Sequence, residues 1–189
     1  MKLWTIQPVE VYEQIKADGK YIFDIEKSAN AKDFAREYRW LEKEMADRGI
    51  SKSFCDDGMV WAWHTYAGKR RKPDLRQGGY NKRGTKAVCM KIEIPDNKVL
   101  LSDLDAWHYV LNNWYIGNSQ NDEEWEREQA WLASLLPEDR QSHIEKSWQK
   151  IFDITPIISE WKINGQYVQA TFYDLFLENI KKVQYFICK

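Results

Sequence analysis

The run Met59-Val60-Trp61-Ala62-Trp63-His64-Thr65-Tyr66 reads as a β-strand, with Trp61 and Trp63 on one face because strand side chains alternate. Upstream, Leu3 to Gln7 reads as a short strand, and Pro8 opens a helix in which Val11, Tyr12 and Ile15 recur at helical spacing before Gly19 stops it. A second helix is predicted from Asn30, as cap, to Arg48, with Phe34, Tyr38, Leu41 and Met45 as its apolar stripe and Gly49 at its end. Downstream, Gly68 to Lys86 is a glycine-rich basic loop, and Ala87 to Ile94 is a buried strand. Pro95-Asp96-Asn97 turns the chain into Val99-Leu100-Leu101.

Ser102 with Asp105 forms a capping-box pattern for a helix through Asn112. Residues 117–124 are polar and acidic, and helices over about 123–134 and 138–151 flank Pro137. Trp161 to Ile163, Asn164-Gly165 and Gln166 to Phe172 together carry the signal of a β-hairpin. A helical piece near Asp174–Asn179 leads to a last strand, Val183 to Cys188. Strands and helices thus mix along one repeat-free chain, predicting an α+β fold in a single domain over residues 1–189.

The composition is that of a globular chain: 43% hydrophobic and 30% charged residues, with ten Trp, ten Tyr and seven Phe. Those rings exceed what a core of this size needs, so some are expected at a surface or pocket. A net charge of −1 points neither to nor away from a polyanionic partner. No apolar leader or membrane-length stretch is present in the sequence, and Cys55, Cys89 and Cys188 lack metal-ligand spacing. These features lead to the expectation of a cytoplasmic protein with free thiols and no metal.

Charge is nonetheless uneven. Lys69, Arg70, Arg71, Lys72, Arg76, Lys82, Arg83 and Lys86 stand against the single acid Asp74. Arginine forks and nearby glycines suit a pyrophosphate or a nucleic-acid backbone. The plain alternatives are a solvated loop, or one neutralised by the acidic stretch Asp122–Glu128. His108 beside Asp103, Asp105 and Trp107 has the makings of a general base, although first-turn acids more often serve as caps. His64 reads as structural, and His143 lies on a polar helix. Phosphate-loop, Rossmann and nucleophile-elbow signatures are absent from the sequence.

Two resemblances follow from these segments. Leu3-Trp4-Thr5-Ile6-Gln7, Trp61-Ala62-Trp63, Arg71-Lys72-Pro73-Asp74-Leu75-Arg76, the run from Leu100 to Asn112 and Val168-Gln169-Ala170-Thr171 are similar to a bacterial family, domain of unknown function 3841. Residues 3–19 and 168–187 resemble the first and last motifs of ADP-ribosyltransferases acting on nucleic-acid ends. The second resemblance implies two small, mostly antiparallel sheets with a helical layer and NAD as cofactor. It puts Thr5 where a histidine or arginine usually meets the ribose, with Gln7 nearby, and reads Gln169-Ala170-Thr171 in place of Gln-x-Glu. That glutamate stabilises the cationic ribose as nicotinamide leaves, and Thr171 has no charge to offer. Trp61 or Trp63 would stack on a ring, and Arg71 and Arg76 would hold phosphates. A nucleic-acid-binding module built on the 69–86 loop, or an interaction component of a bacterial defence or toxin system, stands as the alternative to a nucleotide-binding domain.

Overall fold

The computed structural model describes residues 1–21, 33–53 and 58–189. Among them are six strands of one antiparallel sheet: β1 (Lys2–Pro8), β2 (Val60–Thr65), β3 (Lys86–Glu93), β4 (Leu100–Asp103), β7 (Val168–Phe172) and β8 (Ile180–Ile187). Their spatial order is β4-β7-β2-β1-β3-β8. The short strands β5 (Ile157–Ile158) and β6 (Ile163–Asn164) pair separately. The α+β class stands, but the main strands form one continuous sheet rather than dividing into two small ones. Five α-helices are described: α1 (Val9–Asp18), α2 (Ala35–Asp47), α3 (Leu104–Leu111), α4 (Asp122–Ser134) and α5 (Pro137–Ser147).

Strand alternation and register sort the core into two layers. Trp4 lies opposite Trp63, and Ala62 opposite Ala170. Leu3 and Thr5 therefore share a face with Val60, Ala62, Val88, Met90, Ala170 and Phe172, and Ile15 of α1 packs on it. The other face carries Trp4, Trp61, Trp63, Gln169, Thr171, Leu100 and Ser102. Over β4, β7 and β2 that face is roofed by Leu41 and Met45 of α2, Trp107 and Val110 of α3, and the fully buried Trp148. Trp148 keeps its indole N–H satisfied by donating to the Trp114 carbonyl at 2.9 Å.

Helix ends match their sequence signals, with some shifts. The Gly49 N–H reaches the Ala46 carbonyl and the Ile50 N–H the Met45 carbonyl, a Schellman ending for α2. Asn30, the expected cap, lies outside the described residues, as does Cys55. The cap of α3 is Asp103 rather than Ser102, its Oδ1 accepting from the Ala106 N–H at 2.9 Å. Ser102 is the preceding strand residue and is buried.

The expected Asn164-Gly165 hairpin does not form. Ile163-Asn164 pairs back with Ile157-Ile158, while β7 inserts between β2 and β4. Tertiary contacts override the local turn preference. Asn164 donates to the Asp153 and Thr155 carbonyls, and the Gly165 N–H donates to Asp103 Oδ2 at 2.7 Å. Gly165 has φ +69°, and a Cβ there would lie 2.6 Å from the Ile154 carbonyl oxygen.

Candidate functional site: a basic loop pinned to the sheet

Beyond β2 the chain turns at Ala67 and Gly68, both with positive φ, and Tyr66 and Lys69 bridge backbone to backbone. Gly68 is favoured by its φ of +69°, and the tip of Gln166, whose Oε1 would lie 2.7 Å from a Cβ, would have to shift to admit one. Tyr66 is buried and stands edge-on to Trp63 and Tyr167, each with centroids 5.3 Å away. Its hydroxyl donates to Gln77, and the Tyr80 hydroxyl donates to the Asp74 carbonyl at 3.2 Å. The Tyr80 ring meets Phe186 of β8 at 6.3 Å. Where the loop returns, the Gly84 N–H donates to the Cys188 carbonyl and the Cys188 N–H to the Thr85 carbonyl. The loop therefore lies as a fixed layer across the β3–β8 side of the sheet.

Its cations divide into those that hold the loop and those that point out. Arg70 donates to the carbonyls of His64 and Lys2, stapling the ends of β2 and β1. Burial, followed by the nearby Arg70 charge, pushes the His64 imidazole down to about 4, so it is neutral near neutrality. Arg76 grips Asp74 with two bonds, Nε to Oδ1 at 2.9 Å and Nη2 to Oδ2 at 2.7 Å. That hydrogen-bonded arginine holds the Asp74 carboxyl well below the usual range. The acid is thus already neutralised within the loop.

The remaining cations face solvent. Arg71 donates only its Nε, to the Tyr66 carbonyl, and Lys72 reaches Gln184 of β8. Lys69, Lys82, Arg83 and Lys86 are exposed and have no side-chain partner among the described residues. Lys91 lies directly across from Lys182 on the same sheet face, extending the charge beyond the loop. No described ion pair joins the loop to Asp122–Glu128, so the expected internal neutralisation is not seen among the described residues. Like charges crowded on a fixed surface are electrostatically unfavourable until an anion arrives.

The residues singled out for nucleotide chemistry do not meet in one place. Thr5 is fully buried under α1, donating to the Trp61 carbonyl at 2.8 Å and accepting from Gln7 Nε2 at 3.0 Å. Trp61, Trp63, Gln169 and Thr171 lie on the opposite face of the sheet, so Thr5 and Gln7 cannot line a cleft with them. Trp61 packs on Tyr38 and Trp107, with centroids at 5.9 and 5.4 Å. Gln169 donates to Ser102 Oγ at 3.1 Å, and the buried Thr171 Oγ1 has no partner among the described residues. Trp61 and Trp63 are half-buried against other rings, so neither is an open platform for the ring stacking that the ADP-ribosyltransferase resemblance implied. Of the two arginines expected to hold phosphate, Arg71 keeps a free fork and Arg76 is occupied by Asp74.

Asp103 is a buried cap, while Asp105 and His108 are exposed on α3. No cluster of three or more His, Cys, Asp or Glu side chains suited to a metal occurs among the described residues. Cys89 and Cys188 are free and buried, and burial pushes the Cys89 thiol up to about 11. No helix among the described residues is long and apolar enough to cross a membrane. Sequence reading missed the anchoring by Tyr66, Gln77 and Tyr80; the tyrosines before and within the basic run were its signal.

Residues 2–181 match the family model described as Domain of unknown function (DUF3841). The chain belongs to that family. No curated protein and no solved structure matches the chain. The DUF3841 match takes in the whole basic loop and five of the six strands of the main sheet, ending just inside β8.

Proposed function

We propose that the protein binds the phosphate backbone of RNA or single-stranded DNA through the 69–86 loop. One observation carries the reading: the loop's only acid is bound by Arg76, while Lys69, Arg71, Lys72, Lys82, Arg83 and Lys86 project from a layer fixed to the sheet. A fixed cationic surface binds backbone phosphates without ordering itself first, and the displaced counterions drive association. With all six cations engaged, the logarithm of affinity should fall against the logarithm of salt with a slope near about −4. Fluorescence anisotropy of a labelled 20-nucleotide RNA across a salt series measures it. In Lys82→Ala/Arg83→Ala the slope should shrink in magnitude by about 1 to 1.5. A flat salt response, or no binding at low salt, sinks the proposal.

A second reading is a NAD-like nucleotide site of ADP-ribosyltransferase type, the finer fold assignment going with it. What supports it is that Trp61, Trp63, Gln169 and Thr171 share one sheet face and that the Thr171 hydroxyl is unpaired. Gln169 would bond a ribose hydroxyl, releasing Ser102. Titration calorimetry with NAD and with ADP-ribose tests it: saturable heat that weakens in folded Gln169→Ala supports the site, and silence with both ligands retires it.

A further inference from the structure

α4 is an unusual helix for this molecule, because not one of its residues is buried. Glu124, Glu128 and Leu132, spaced every four residues, face the body, and the two carboxylates take up the N–H groups of Gln120 and Asn118. On its outer side Asp122, Glu123 and Glu126 are exposed and unpaired among the described residues, and Glu138 and Asp139 extend the acidic surface into α5. Two indoles stand beside these acids: Trp125 is 51% exposed and Trp131 40%. A depression of about 440 Å³ opens at the start of the helix, lined by Asn118, Ser119, Glu124, Arg127, Glu128 and Trp131. Trp131 packs edge-on to Tyr115 and His143, but exposed carboxylates beside the Trp125 indole suit a partner rich in lysine and arginine, since a guanidinium can pair with the first and stack on the second.

The same chain carries such a partner. The outward cations of the 69–86 loop are opposite in sign to the α4 acids and equally exposed, and no described ion pair joins the two within one molecule. We infer that α4 of one copy docks on the basic loop of a second copy, with Lys82 and Arg83 meeting Glu123, Glu126 and Trp125. The two surfaces differ, so the contact is head-to-tail. It builds chains or rings rather than a closed twofold dimer. The proposal goes beyond nucleic-acid binding and makes it competitive: a loop occupied by another copy has no free charge for phosphate.

Sedimentation velocity of nuclease-treated protein tests this at about 50 mM and 500 mM salt, a range over which surface charge is progressively screened. Wild-type protein should sediment as species larger than a monomer at low salt, growing with concentration, and as a monomer at high salt. Glu123→Lys/Glu126→Lys and Lys82→Glu/Arg83→Glu should each be monomeric alone. Mixed in equal amounts, each supplies one intact wild-type surface, and a third species should form through the pair of surfaces still intact or mutually reversed. Circular dichroism confirms that both variants are folded. Monomeric wild-type protein at low salt, or undiminished association in either variant, overturns the inference. The α4 variant retains the whole loop, freed of the competing copy, and should bind RNA at least as tightly as wild type, so loss of self-association and loss of nucleic-acid binding are read separately.

Discussion

Thr171, the penultimate residue of β7, has a fully buried hydroxyl that meets no donor or acceptor among the described residues. A buried polar group without a partner costs about 1 to 3 kcal/mol of desolvation. Thr171→Val keeps the branched shape suited to a strand and removes that cost. The variant should gain about 1 kcal/mol and melt about 3 °C higher, measured by differential scanning calorimetry. An unchanged or lower melting temperature would show that the hydroxyl is satisfied, for instance by water. Gln169, its neighbour on the same face, differs in having an internal partner in Ser102. Sequence could mark both residues as notable, but not their burial, because Gln and Thr are ordinary strand residues until the roof above them is known.

At the scale of elements, Asp103 ties three segments together. One carboxylate oxygen caps α3 at Ala106, the other takes the Gly165 N–H that precedes β7, and its own backbone pairs with Val168. Asp103→Ala removes both acceptors and leaves a buried N–H unpaired. The loss should be about 3 kcal/mol in urea denaturation, while substitution of the exposed Asp105 should cost far less. Strands and helices with strong periodicity were legible in the sequence: β2 with its paired tryptophans and α2 with its Leu41–Met45 stripe. Asn164-Gly165 was not, because its glycine serves a close approach to Ile154 and a bond to Asp103, neither visible from local spacing. The loop was legible as charge alone. That Arg70 and Arg76 are structural while Lys82 and Arg83 are free depends on which carbonyls and carboxylates the fold brings near.

For the whole molecule, net charge conceals polarity. A chain of net −1 presents a cationic layer on the β3–β8 side of its sheet and an anionic surface on α4. Electrostatic behaviour should follow that separation rather than the sum, since charges a Debye length apart act independently. The strand order has a different consequence. β7, which enters the chain at residue 168, fills the gap between β2 and β4, and β8 closes the far side against β3. On the ribosome, β2 and β4 must therefore emerge long before the segment that joins them. Until then their inner backbone edges stay open to any extended neighbour. Completion of the sheet is left to the two of its strands that come latest in chain order, so nascent chains of this protein pass through a long interval in which a strand-binding chaperone has something to hold.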